Sequence, residues 1–287
     1  MNHWHVLGAG SMGCLFASHL AAAGCRVTLL LRNSTHGDPA RIRVDFADGT
    51  SEAPIRLESC DSGSVIEHLL VATKAQDVVT AVSSVRHRLS TDCPVILAAN
   101  GMGYLEPLAE QLAGQALYCC ITTEGAYRLA PMHVRHAGSG VTRIGSPDQH
   151  PQADWLSDWQ QSTLDCRWQP DIRLALWHKL AINCAINPLT ALHGCLNGLL
   201  ASDPSLSKEV EQLCKEIATV SAAAGFIDTA ASVTSEVAAV IAATAENRSS
   251  MLQDVQANRL TEIDYITGYL LHTANDLNIQ IPHNQQL

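Results

Sequence analysis

The six residues Gly8-Ala9-Gly10-Ser11-Met12-Gly13 constrain this chain more than any other stretch. They follow the GxGxxG spacing between a short apolar run ending in Val6-Leu7 and an Ala/Leu-rich helical pattern over 12–23, which Gly24 is placed to end. In a strand–turn–helix unit of this kind the first glycine permits a tight turn. The second lets a pyrophosphate approach the backbone, the third allows close helix–strand packing, and the helix N-terminus turns its N–H groups toward the phosphates. Ala9, Ser11 and Met12 complete the dinucleotide-binding candidate. Arg32 closes the next apolar strand, 26–32, 19 residues beyond Gly13. An acid there would accept a hydrogen bond from the ribose 2′-hydroxyl of NAD, whereas an arginine suits the 2′-phosphate of NADP. NADP is the expected cofactor; a plain surface arginine at a strand end is the alternative.

The pattern around this unit is βαβ. Short β segments at 42–46 and 54–57 flank an Asp48-Gly49 turn, and apolar strands at 69–73 and 94–98 are separated by a helix near 77–89. Such alternation implies a parallel sheet with right-handed crossovers. A strand at 116–122 follows. Segments 133–137 and 141–144, hinged on Gly138 and Gly140, are expected to pair antiparallel and extend the sheet, and a helix at 154–163 and a strand at 166–168 close this half. From 171 onward only helical patterns occur, at 172–185, 207–223, 230–248 and 259–275. The expected fold is α/β, with an N-terminal Rossmann-type dinucleotide-binding domain (1–168) followed by an all-helical C-terminal domain (169–287).

Composition narrows the function classes. Of 287 residues, 47% are hydrophobic and 16% charged, which excludes a disordered chain. With 18 basic against 28 acidic residues and no basic tract, a nucleic-acid or anionic-membrane surface is not expected. No apolar run approaches the ~18–20 residues of a membrane span, and no signal-peptide pattern precedes the first strand. The ten cysteines lack CxxC spacing and the thirteen histidines lack HExxH spacing. Buried free thiols in a reducing cytoplasm, and no metal, are expected.

Several polar residues stand where chemistry is done. Lys74 and Asn100 follow apolar strands, so with Gly8 and Arg32 they are expected along one rim at the carboxyl ends of the sheet; Asn100-Gly101 reads equally as a simple turn. Lys179, Asn183 and Asn187 recur at i, i+4 and i+8 on an otherwise apolar helix, just ahead of Pro188, which is expected to disturb it. An ammonium on such a face needs a polar cavity or a partner, unless its stem carries it to solvent. The polar run Glu246-Asn247-Arg248-Ser249-Ser250-Met251-Leu252-Gln253-Asp254 and a helix opening near Glu262 could supply partners. The serines could instead be caps, and Glu262 a dipole-compensating acid.

These residues together resemble the ketopantoate reductase family. The resemblance covers nearly the whole chain. It is carried by the glycine motif, Arg32, Ala72-Thr73-Lys74-Ala75 and Asn100-Gly101-Met102-Gly103. Most specific are Lys179-x3-Asn183-x3-Asn187-Pro188-Leu189-Thr190 and the 245–254 segment AENRSSMLQD. It implies NADPH-dependent reduction of 2-dehydropantoate to pantoate, in pantothenate and coenzyme A biosynthesis. By motif, Lys179 would be the proton donor and also touch substrate, with Asn183, Asn187 and Asn197 as substrate-binding asparagines. Residues 247–250 would form a substrate loop that includes Asn247 and Ser249, with the Ser250 hydroxyl on the substrate carboxylate. Glu262 would reach both substrate and nicotinamide, Lys74 and Ala126 would contact cofactor, and Asn100 would contact cofactor and substrate. Ala99 and Glu124 depart from the pattern by replacing histidines. A reductase of another 2-oxo acid on the same fold, or a non-catalytic NADPH-binding sensor, is the alternative.

Overall fold

The computed structural model describes residues 2–32, 40–112 and 114–287. It divides into two compact units, 1–99 with 104–172 and 100–103 with 173–287. The first is built on β1 (His3–Leu7), β2 (Arg26–Leu31), β3 (Ala40–Asp45), β4 (Thr50–Ser59), β5 (His68–Val71), β6 (Val95–Leu97), β7 (Leu117–Thr122), β8 (Gly125–Ala130), β9 (His133–Gly138), β10 (Val141–Gly145) and β11 (Asp165–Trp168). They form one sheet in the order β11-β10-β7-β6-β5-β1-β2-β4-β3-β9-β8. From β7 to β4 every pairing is parallel. Of these, β1, β5 and β6 are buried on both faces, as a helix-covered parallel sheet requires. Helices α1 (Ser11–Ala22), α2 (Val78–Val85), α3 (Leu105–Gln111) and α4 (Leu156–Gln160) belong to this unit. Trp4, Phe16, Tyr118, Trp155 and Trp159 form its aromatic core, with Trp4 Nε1 donating to Asp158 at 2.7 Å.

One pairing differs from expectation. β9 and β10 do extend the sheet, but not against each other: β9 lies between β3 and β8, and β10 between β7 and β11. The turn between them is captured by side chains instead. Glu124 accepts the Gly140 N–H at 2.9 Å and Thr123 Oγ1 accepts that of Val141 at 2.9 Å. The 124 carboxylate is 4% exposed and also binds His136 Nε2 at 2.6 Å, so Glu124 ties the end of β7 to β9 and β10.

The second unit comprises α5 (Ile172–His193), α6 (Leu199–Ser202), α7 (Pro204–Ala223), α8 (Ile227–Ala243), α9 (Ser250–Gln256), α10 (Ile263–Asp276) and α11 (Pro282–Gln285). The first helix does not stop before Pro188 but runs through it to His193. Proline removes the N–H that would bond the Cys184 carbonyl, while the buried Thr190 hydroxyl donates to the Ile186 and Asn187 carbonyls. The helix expected to reach 248 ends at Ala243, and 250–256 forms a separate helix capped by Ser249, whose Oγ accepts the Leu252 N–H at 3.0 Å. At the C-terminus Glu216 on α7 accepts the backbone N–H groups of His283 and Asn284, both at 2.9 Å, and so anchors α11.

Buried histidines give the first unit a defined pH response. Burial pushes His5 down to about 3 and His19 down to about 4, and also lowers His3 and His68 from the ordinary 6.5. Between those values and 6.5 the unfolded chain binds protons that the folded chain does not. Stability is therefore full above about pH 6.5 and declines as the pH falls toward the folded values. The denaturation midpoint in urea should be lower at pH 5 than at pH 7.5; equal midpoints would contradict this assignment.

Candidate active site

In the first unit the turn after β1 has the geometry of an anion cradle. Gly8 has φ +110, and a Cβ on it would lie 2.8 Å from the Ala72 backbone, so only glycine fits. Gly13 packs so closely on the Gly8 carbonyl that no side chain could be placed there. A Cβ at Gly10 would meet nothing nearer than Ala72 O at 3.9 Å, which leaves open space above the turn. Gly10 is the N-cap of α1, without side-chain capping and without an acid in the first turn. The N–H groups opening that helix, at Ser11 and Met12, have no intrahelical acceptor. Ala9, Ser11 and Met12 are half-buried around this space. The residues present therefore fit a dinucleotide pyrophosphate.

Arg32 directly follows β2 and is 73% exposed, with Nη2 3.1 Å from Asp77 Oδ1. Asp77 is an acid that the sequence pattern did not single out. Lys74 is three residues past the end of β5, in extended conformation, and is half-buried. Beside it, the buried Thr73 Oγ1 and Gln76 Oε1 have no hydrogen-bond partner among the described residues. Ala126 lies at an irregularity near the start of β8. That strand is at the far end of the sheet order, yet Gly125 is three residues past Thr122, a reach of ~11 Å. The sheet must curl for this, and the start of β8 comes to the carboxyl end of β7, on the rim side.

Asn100 lies three residues past the carboxyl end of β6. Residues 100–103 are compact with the helical unit rather than with the sheet. The segment is pinned to α10 by Met102 N–H donating to Tyr265 O at 2.8 Å, and Gly101, at φ +79, presses against that same carbonyl where no Cβ could fit. Asn100 is thereby placed between two candidate catalytic groups: Lys179 Nζ donates to its Oδ1 at 3.0 Å, and its Nδ2 donates to Glu262 Oε2 at 3.2 Å. Only one orientation of the amide offers oxygen to an ammonium and nitrogen to a carboxylate, so both neighbours fix it. Glu262 is the N-cap residue of α10, 5% exposed, and its side chain does not cap the helix. Its carboxylate is thus available to Asn100.

Lys179, Asn183 and Asn187 occupy one stripe of α5, the first two half-buried and Asn187 8% exposed. Asn197 is 7% exposed, with Nδ2 donating to Thr244 Oγ1 at 2.8 Å, while its Oδ1 has no partner among the described residues. Its N–H donates to Asn247 O at 3.0 Å, which fixes the loop leading to α9. Asn247 and Ser250 are exposed, whereas Ser249 is buried. The Ser249 oxygen accepts from Leu252 N–H and lies within hydrogen-bond distance of Thr190 Oγ1, at 2.7 Å, so the capping role is real. Thr190, which closes the Asn-Pro-Leu-Thr motif, links that turn of α5 to the start of α9. No group of three or more His, Cys, Asp or Glu among the described residues could hold a metal ion.

Two family models match, "Ketopantoate reductase PanE/ApbA" over residues 4–149 and "Ketopantoate reductase PanE/ApbA C terminal" over 171–287. The chain belongs to the ketopantoate reductase family. It is 35% identical to the 2-dehydropantoate 2-reductase of Vibrio cholerae, over 98% of this chain and 94% of that protein. It is 38% identical to the enzyme of the same name from Shigella flexneri, over 98% and 91%. Among solved structures, a probable 2-dehydropantoate 2-reductase from Bacillus subtilis superposes with a TM-score of 0.83 at 26% identity, covering 99% of this chain and 97% of that one. The ketopantoate reductase fold, an α/β sheet domain followed by a helical region, is the fold of this chain.

Proposed function

We propose that this chain reduces the C2 carbonyl of 2-dehydropantoate to the alcohol of pantoate with NADPH, a step of pantothenate and coenzyme A biosynthesis. The observation that carries the reading is the Lys179–Asn100–Glu262 hydrogen-bonded set. NADPH, when bound, supplies a hydride to the carbonyl carbon. Lys179 Nζ is the proton donor at the carbonyl oxygen: its charge stabilises the negative charge that develops there, and its proton completes the alcohol. Asn100 Oδ1 aims that ammonium while leaving its charge intact, and Glu262 holds Asn100 in the orientation this requires.

Residues 1–168 are the proposed cofactor-binding part, with the 8–13 turn on the pyrophosphate, Arg32 on the 2′-phosphate, and Lys74 and Ala126 as further contacts. Residues 169–287 are the proposed substrate and catalytic part. Asn183, Asn187 and Asn247 position the substrate. The buried Asn197 Oδ1 offers an acceptor for a substrate hydroxyl. Ser250, exposed at the first position of α9, takes the substrate carboxylate. A small-molecule substrate and a cytoplasmic setting follow; ten free, buried cysteines support the latter.

NADPH oxidation measured over a panel of 2-oxo acids tests the reading, with 2-dehydropantoate expected to give the highest kcat/KM. Ser250→Ala removes one hydrogen bond to a charged group, worth ~1.5–3 kcal/mol. It should raise the KM for 2-dehydropantoate at least about tenfold and leave the Kd for NADPH unchanged. Weaker NADPH binding with an unchanged KM would assign Ser250 to the cofactor instead.

A further inference from the structure

The Arg32–Asp77 pair belongs to no element of the reading above except through its arginine. Both side chains are well exposed, 73% and 45%, and an ion pair in that setting adds little to stability. Its placement is nonetheless fixed. Arg32 follows β2 and Asp77 ends the single 3-10 turn after β5, and these two strands flank β1 on either side, with Leu7 in register with both Leu30 and Val71. The Asp77 N–H donates to Lys74 O at 2.9 Å, which holds the turn and keeps the carboxylate at 3.1 Å from the guanidinium. The chain thus carries, side by side, the cation that suits a 2′-phosphate and the acid that suits a 2′-hydroxyl.

We propose that Asp77 is a specificity-determining residue of the cofactor site, one that weakens NADPH and favours NADH. The inference rests on the reading of Arg32 as the 2′-phosphate contact. A guanidinium has five N–H donors, and Asp77 Oδ1 occupies one of its nitrogens at Nη2, so a phosphate can still bind the others. A phosphate bound there carries close to two negative charges and lies within a few ångströms of a third, on Asp77. In water that repulsion amounts to about a three- to tenfold loss of affinity. NADH places only hydroxyls at this position. It meets no such repulsion, and the Asp77 carboxylate can accept a hydrogen bond from the 2′-hydroxyl that arginine cannot.

The test is a set of dissociation constants for NADPH, NADH and 2′,5′-ADP, measured by titration calorimetry on the wild type, Asp77→Asn and Arg32→Ala. Asp77→Asn should tighten NADPH and 2′,5′-ADP by about three- to tenfold and leave NADH unchanged or weaker. The gain should shrink at high salt, where the repulsion is screened. Unchanged or weaker NADPH binding by Asp77→Asn would overturn the proposal and make Asp77 a bystander or an orienting partner of Arg32. Asp77→Ala, which also removes the charge, decides the matter in the same way should the asparagine variant fail to fold. The Arg32→Ala arm separates the two failures. If that variant loses NADPH affinity while Asp77→Asn gains none, Asp77 is excluded and the role of Arg32 stands; if it binds NADPH like the wild type, the reading of Arg32 itself fails.

Discussion

Lys179→Ala should lower turnover of 2-dehydropantoate by about 10²–10⁴-fold while folding and NADPH affinity stay close to wild type. Two contributions disappear with the ammonium: the proton delivered to the carbonyl oxygen and the charge that stabilises it beforehand. The wild-type rate should also fall at alkaline pH as the donor deprotonates, and that limb should be missing from the variant. Lys179→Arg should not restore the rate, because a guanidinium keeps its proton at all these pH values and does not fit the Asn100 acceptor in the same way. A lysine that merely supported the helix would give the opposite pattern, with lower stability and near-normal turnover. The 3.0 Å bond to Asn100 favours the catalytic outcome, since it holds the half-buried ammonium in a defined position.

Arg32→Asp should weaken NADPH by about ten- to a hundredfold and narrow the gap to NADH, measured as the ratio of the two kcat/KM values. Loss of a charge-assisted hydrogen bond accounts for ~1.5–3 kcal/mol. The substitution also places a second carboxylate next to Asp77, so the effect on the 2′-phosphate should fall at the upper end of that range. Equal use of NADPH and NADH by the unmodified protein would contradict the assignment of Arg32.

How much of this was legible in the sequence depends on whether the information was local. The glycine turn and the strands β2, β5 and β6 announce themselves because burial on both faces leaves nearly continuous hydrophobic runs. The stripe of Lys179, Asn183 and Asn187 follows from helical periodicity alone. Features that depend on distant partners were not legible. β9 and β10 read as a hairpin because they are adjacent and separated by glycines, but Thr123 and Glu124, in the connection between β7 and β8, hold the intervening turn. The bond that pins the Asn100 segment, from Met102 N–H to Tyr265 O, joins residues 163 apart and has no local signal. Pro188 read as a disturbance just beyond Asn187, past a helix expected to end at 185, whereas α5 runs on to His193 with Thr190 bonded to the Ile186 carbonyl. The 249–250 pair divides in a way spacing cannot show: one serine caps and is buried, the next is exposed.

The central claim is that Lys179, Asn100 and Glu262 serve the reduction of 2-dehydropantoate by NADPH. Product stoichiometry tests it most directly: purified protein is mixed with NADPH and 2-dehydropantoate, and the NADPH consumed and pantoate formed are quantified together. One pantoate formed per NADPH oxidised, at a rate that collapses in Lys179→Ala, is the predicted result. NADPH that binds but is not oxidised in the presence of 2-dehydropantoate, or oxidation that proceeds equally well without Lys179, would contradict the account.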